Sequence, residues 1–261
     1  MEKKQHKKTN SIIQLLIVVV VGIVSISNSF AQSRQKLPCL DRRFSIIVNI
    51  VHDSLGQPGI ILQDVLDGID AANTAWEDIC VSFEVCEVRN IYNFQYNDLD
   101  TTLELPELMI KYYEEYRINM FVVNSTTAQG SFATLGGIAK VDDGLICMEK
   151  SAGPGTYVHE MGHYFGLPHT FDTPGELVDG SNCATTGDEI CDTPADPYPQ
   201  GSVDANCRFI GMIQDANGDY YTPDVGNPMS YYPGNCKCLK FTHDQYWKMA
   251  NTYLNSNPKM W

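Results

Sequence analysis

His159-Glu160-Met161-Gly162-His163-Tyr164-Phe165-Gly166-Leu167-Pro168-His169 reads HExxHxxGxxH, three imidazoles and one carboxylate at fixed spacing. On a helix, His159 and His163 stand four residues apart and share one face, about one turn from each other. Glu160 follows the first histidine and is placed to reach a water held in a metal's open position. Gly166 has no Cβ, so the helix can end there in the left-handed conformation. The chain then turns and returns His169 as a third ligand. Three protein ligands with one open position are the pattern of a catalytic zinc site rather than a structural one. The extended spacing is far more specific than HExxH alone.

Upstream, Phe44 to Val51 is dense in β-branched residues and reads as a buried strand. Leu62, Val65, Ile69, Ala72 and Trp76 recur at three- and four-residue steps, predicting an amphipathic helix from Ile61 to Glu77. Val81 to Val85 alternates as a half-buried strand, Leu105 to Glu115 reads as a helix, and Ile118 to Val123 as a buried strand. Gly136 to Ala139 and Gly144 to Met148 read as short strands, the first glycine-rich enough for a sheet edge. This order predicts a mixed sheet with helices behind it. After Phe171 the periodicity gives way to Gly, Asp, Asn, Pro and Cys, the composition of loops held by disulfides or ions. Regular structure returns at Thr242, which with Gln245 makes a capping box for a last helix.

The chain has 261 residues, enough for a substantial core. Lys3, Lys4, Lys7 and Lys8 precede an apolar run from Ile12 to Ile26, and Ser29-Phe30-Ala31 fits a small-x-small cleavage site. Residues 1–31 are thus expected to be a signal peptide, 32–42 a short N-terminal or pro-segment, and 43–261 one catalytic domain. The alternative, a retained anchor, is disfavoured because the run falls short of the roughly 20 residues that span a bilayer. Losing the signal removes four lysines and one glutamate, so the formal charge moves from −14 to −17. Such an acidic domain is a poor partner for nucleic acid or anionic membranes. The expected destination is extracellular or periplasmic, and the expected state a monomer.

All nine cysteines follow the signal, so in an exported protein disulfides are expected, and at least one cysteine is left over. Cys39 has two readings: a disulfide anchoring the N-terminal segment, or a thiol that occupies zinc's open position and keeps the protein latent. Cys80 and Cys86 bracket one strand and can pair with each other or elsewhere. Asp215-Ala216-Asn217-Gly218-Asp219 resembles half a calcium loop but lacks the closing glutamate, so a polar turn is the better reading.

Asn227-Pro228-Met229-Ser230-Tyr231-Tyr232 resembles the Met-turn of metzincin metallopeptidases. With Gly166 to Phe171, Gly187-Asp188-Glu189-Ile190-Cys191-Asp192-Thr193-Pro194, Cys236 and Phe241 to Gln245, the chain is most similar to the pappalysin (M43) family. The similarity runs from Arg43 to the C-terminus and is strongest from Val158 onward. It departs at Pro228 and at Ser230, where that family usually has an aromatic residue and Asp, which alters the primed-side pocket. The resemblance implies an α+β zincin domain with a mixed, mostly parallel twisted sheet, an antiparallel edge strand, an active-site helix and a loop-rich C-terminal lobe. It implies zinc on His159, His163 and His169, Glu160 as general base, and Tyr231 stabilising the oxyanion or holding the metal's water. It places Met229 as an apolar floor beneath the histidines. It also implies a calcium ion near Asp188, the Cys191 carbonyl and Thr193, and a disulfide between Cys207 and Cys236.

The expected function is a secreted zinc endopeptidase acting on protein or peptide substrates, with the edge strand aligning an extended chain. A zinc-binding module on the same scaffold without turnover is the alternative; it needs neither Glu160 nor Tyr231. A hydrolase of non-peptide amides is disfavoured by the glycine-rich edge.

Overall fold

The computed structural model describes residues 35–127, 137–140 (backbone only), 144–198 and 203–256. The expected signal peptide lies outside them. The elements run β1 (Arg42–Val51), α1 (Leu62–Trp76), β2 (Val81–Ile91), β3 (Asp98–Asp100), α2 (Leu105–Tyr112), β4 (Ile118–Val123), β5 (Ser125–Thr127), β6 (Gly137–Lys140), β7 (Leu145–Glu149), α3 (Pro154–Tyr164) and α4 (His243–Asn255). Five strands form the main sheet in the order β2-β1-β4-β7-β6. β1 pairs in parallel with β2 and β4, and β4 with β7, while β6 runs antiparallel at the edge. β3 and β5 form a separate parallel pair. The class is α+β.

β1 reads as a continuous apolar run because both of its faces are covered. On one face Ile46, Val48 and Ile50 pack with Val65, Ile69 and Trp76 of α1 and with Tyr157, Val158 and Met161 of α3. On the other, Val51, Phe121, Val123, Leu145 and Cys147 pack with Leu105 and Leu108 of α2. The first core anchors the site helix. Phe165, just beyond α3, lies 5.6 Å from Trp76 and 5.4 Å from Phe44, ring centre to ring centre. Removing a buried aromatic ring of this kind costs about 3–5 kcal/mol.

Two elements differ from expectation. β2 continues six residues past Val85 to Ile91, pairing with β1 through a bulge at Ile46/Ile47. It is an edge strand, so its outer residues Glu87 and Asn90 face solvent and the apolar alternation fades while the ladder goes on. α2 stops at Tyr112, short of Glu115, because buried Asn119 takes over the backbone of the next residues. Its Oδ1 accepts from the Glu114 amide and its Nδ2 donates to the Glu114 and Arg117 carbonyls.

Cys39 is joined to Cys80, Cys183 to Cys191, and Cys207 to Cys236. The latency reading of Cys39 is therefore corrected: its sulfur is spent on Cys80 and has no thiol to offer a metal. Cys86 stands outside these pairs, with Sγ against the Ile46 carbonyl at the bulge. Asp215 closes a polar turn, its carboxylate accepting from the amides of Asn217, Asp219 and Val178. Among the described residues, no helix is long and apolar enough to cross a membrane.

Candidate metal centre and active site

α3 begins at Pro154, which suits a first helical position because its missing N–H has no partner there anyway. It ends as the spacing predicts. Gly166 has φ +84°, its amide donates to the His163 carbonyl, and the Leu167 amide donates back to Gly162. This pair of bonds closes the helix and reverses the chain. The reversal sets the Leu167 carbonyl 2.7 Å from His163 Nδ1.

The three histidines then converge. His163 Nε2 lies 3.1 Å from His159 Nε2 and 3.0 Å from His169 Nε2. Each opposite ring nitrogen is committed to an acceptor: His159 Nδ1 to the Pro228 carbonyl at 2.8 Å, His163 Nδ1 to the Leu167 carbonyl, and His169 Nδ1 to Asp172 Oδ1 at 2.8 Å. With the Nδ1 atoms acting as donors, all three Nε2 atoms are left as lone pairs facing one another. Three lone pairs at that separation repel unless a cation lies between them, so the donor set fits a divalent metal that accepts imidazole nitrogen. Burial, reinforced by the neighbouring imidazoles, holds His159 down at about 3 and His163 at about 4, which keeps both rings neutral as ligands must be.

Glu160 is 4% exposed, and burial pushes its carboxyl up to about 8. A cation alongside offsets that penalty and returns the group to the ionised form a base requires. Met229 is fully buried beneath α3, where a Cβ on Gly162 would collide with its Sδ. Tyr231 is half exposed at the rim, its ring 4.6 Å from that of His169 and 5.4 Å from that of His159. Phe171 and Tyr198 pack around it at 5.2 and 5.4 Å.

Three contributors lay beyond the sequence reading. Asp172 holds His169 twice, through Nδ1 and through its backbone amide. Its i+3 spacing from His169 was the available signal. Buried Asp196 accepts from Thr170 Oγ1, Ser230 Oγ, Tyr232 Oη and the Tyr198 amide, tying the ligand loop to the turn under the site. Lys237 donates from Nζ to the carbonyls of Asn227 and Ser230. Neither of these two has a sequence signal, because Asp196 gathers hydroxyls 26 to 36 positions away and Lys237 reaches 7 and 10 positions back into a turn without periodicity. A second grouping, Asp192, His243 and Asp244, sits at the start of α4. There Asp192 Oδ2 accepts from the Asp244 amide, as a helix cap does.

Asp188 is 1% exposed; its Oδ1 accepts from the Ile190 amide, and its Oδ2 is 3.3 Å from Gln245 Nε2. Thr193 is also buried, and Cys191 is tied to Cys183.

The sheet, the site helix and the histidine cluster together make a metzincin-like fold: an α+β domain whose site helix crosses beneath a mostly parallel sheet and over a buried methionine turn. The family model for peptidase M43, described as pregnancy-associated plasma protein-A, matches residues 141–254. Over that segment, less than half of its length, the chain is similar to M43, pappalysin-type metallopeptidases. Extracellular metalloproteases are among its relatives. One from Colletotrichum graminicola is 34% identical over 98 residues, 38% of this chain and 30% of that protein. One from Aspergillus fumigatus is 30% identical over 135 residues, 51% of this chain and 38% of that protein. The chain thus spans about a third of the length of the curated relatives it matches. Among solved structures, mature mirolysin of Tannerella forsythia, in complex with a cleaved peptide, superposes with a TM-score of 0.55. That match covers 81% of this chain and 91% of that chain at 15% identity, a likeness of fold. Promirolysin from the same organism gives 0.54, covering 93% and 88% at 15% identity.

Proposed function

We propose that the protein is an exported zinc endopeptidase that hydrolyses peptide bonds with Glu160 as its general base. The observation that carries this is the trio of inward-facing Nε2 atoms on His159, His163 and His169, with a buried carboxylate beside them. A zinc ion held by His159, His163 and His169 would supply a water whose pKa is lowered from about 15.7 toward about 7 and would polarise a carbonyl oxygen. Glu160 would accept a proton from the attacking water and later return it to the leaving amine. Tyr231, at the open rim, donates to the oxygen on which negative charge develops. Asp172 and the carbonyls of Leu167 and Pro228 hold the imidazoles in the right tautomer. β6 offers an antiparallel edge for an extended substrate. Export is supported by the basic and apolar N-terminal stretch and by the extracellular relatives.

The test is hydrolysis of casein by the purified chain, with and without a chelator, beside Glu160→Ala. Cleavage by the zinc-loaded wild type alone upholds the reading. Stoichiometric zinc without hydrolysis points to a binding module instead.

A structural calcium ion is the second part of the proposal, near Asp188, the Cys191 carbonyl and Thr193. It is supported by buried Glu176 nearby, whose Oε2 has no hydrogen-bond partner, and by the buried Thr193 hydroxyl beside Asp188. Burial raises Asp188 to about 6. Burial, with Asp188 and Asp196 nearby, raises Glu176 to about 7, a repulsion that a cation relieves. Calcium added to the zinc-loaded, calcium-depleted chain should raise its melting temperature; no rise at millimolar calcium removes this part.

A further inference from the structure

A cavity of about 610 Å³ opens beside α3, between His159 and Glu160 on one wall and the Ser230–Tyr232 segment on the other. Among the described residues, its lining includes two charged side chains, Glu160 and Lys237. Glu160 is needed for the proton that goes to the leaving amine, which leaves Lys237 as the free charge of the cavity. We propose that this cavity selects peptides with a carboxylate side chain on the residue whose amine is released, and that Lys237 is the residue that recognises it. The inference rests on the peptidase reading above and adds its substrate preference.

Four observations carry it. An ammonium has three donors, and Lys237 Nζ gives two of them to the carbonyls of Asn227 and Ser230. No carboxylate oxygen among the described residues lies within 4.0 Å of that nitrogen, so it forms no ion pair. Asp196, the acid that acts on it most strongly through space, is already engaged by four donors from Thr170, Ser230, Tyr232 and Tyr198. The Lys237 stem rests near Gly155, and Lys237 lines the cavity together with the first turn of α3. The positive end of that helix adds potential of the same sign.

The location follows from the chemistry. The group that protonates the departing nitrogen lines this cavity, so the residue carrying that nitrogen places its side chain here. A lysine or arginine entering would meet Lys237 and the helix terminus with no acid to spare. A glutamate or aspartate completes the third donor of Lys237 with a charge-assisted bond. A peptide's own terminal carboxylate offers the same chemistry, and the test separates the two sources.

The test uses the zinc-loaded full chain and a peptide series varied only at the residue after the cut, carrying Glu, Gln, Asp, Asn, Leu or Lys. Each peptide is made in two forms, one ending at that residue and one extended by several more. The expected result is a kcat/KM for Glu about tenfold or more above Gln, carried mainly in KM, with Lys slowest, in the extended peptides. Lys237→Met should bring Glu down to the level of Gln, and Lys237→Glu should turn the preference toward Lys. Equal rates for Glu and Gln, or fastest cleavage of Lys by the wild type, overturn the proposal even if the variants fail to fold. A preference confined to the peptides ending at that residue overturns it in favour of a terminal carboxylate. Absence of any cleavage, despite bound zinc, removes the peptidase reading and this inference with it.

Discussion

Gly162 leaves open the space that the sulfur of Met229 fills, 67 positions further along the chain. The glycine is inside a helix, where it has no conformational duty, so its lack of a side chain serves the approach of α3 to the turn. Gly162→Ala gains helix propensity but forces that contact apart. Overpacking of this kind costs about 1–3 kcal/mol. The expected outcome is a lower melting temperature with zinc affinity also reduced, read by calorimetry and zinc titration. Met229→Ala in the same background should restore part of the loss, since it removes the colliding atom.

Glu160→Ala should keep stoichiometric zinc and lose about 10²–10⁴-fold in kcat. The carboxylate touches none of the three Nδ1 hydrogen bonds that orient the ligands. Metal analysis beside a peptide assay checks both halves, and an active variant would take the base role away from Glu160.

Asp172→Ala should weaken zinc binding about 10–100-fold. His169 would lose both its Nδ1 acceptor and the carboxylate that fixes its backbone amide. Competition against a chromogenic chelator gives the affinity. Because the first two ligands sit on α3, far-ultraviolet circular dichroism should stay unchanged.

Cys39→Ser should lower stability by about 4 kcal/mol on the chain-entropy account of a 41-residue separation. It should release no latent activity, because the wild-type sulfur is already bonded to Cys80. Denaturant melts and an activity assay on the unprocessed chain decide between the two readings of this cysteine.

Preference for glutamate over glutamine should fade as pH rises through about 8. Burial lowers Lys237 from its usual 10.5 to about 8, against the opposing pull of Asp196, Asp224 and Cys238. Below about 8 the ammonium is charged and reads a carboxylate; above it the amine has no such claim. The stability effect has the opposite sense. A lysine with a depressed folded pKa destabilises the fold while charged, so its contribution improves as pH climbs from about 8 toward 10.5. The ratio of kcat/KM for the two peptides between pH 6.5 and 9 is the measurement.

The helix that carries the site was readable because its information is local: ligand spacing, the glycine that ends it, and the turn that brings back His169 all lie within eleven residues. The strands β1 and β4 were readable for a related reason, since burial on both faces leaves an uninterrupted apolar run. What failed was the extent of elements whose limits are set from elsewhere. β2 outlasts its pattern because β1 continues to pair with it, and α2 ends where Asn119, from the next strand, captures the backbone just beyond it. Asp196 and Lys237 were opaque for the same cause: their partners lie as much as 36 residues away in loops without periodicity. The partner of Cys39 likewise depended on how β1 and α1 fold back on each other.

The distance in sequence between His159 and Pro228 bears on the order of assembly. The parallel sheet and α3 are built from residues before 165, whereas the acceptor for His159, the buried methionine and the pocket wall that faces α3 come from the loops that follow. Contacts of that separation close late, after the chain has met its loop-closure entropy. Two ligands on one helix are thus in place early, and the third arrives with the loops. A chain halted before its late loops close would carry a nearly finished scaffold and a half-made metal site.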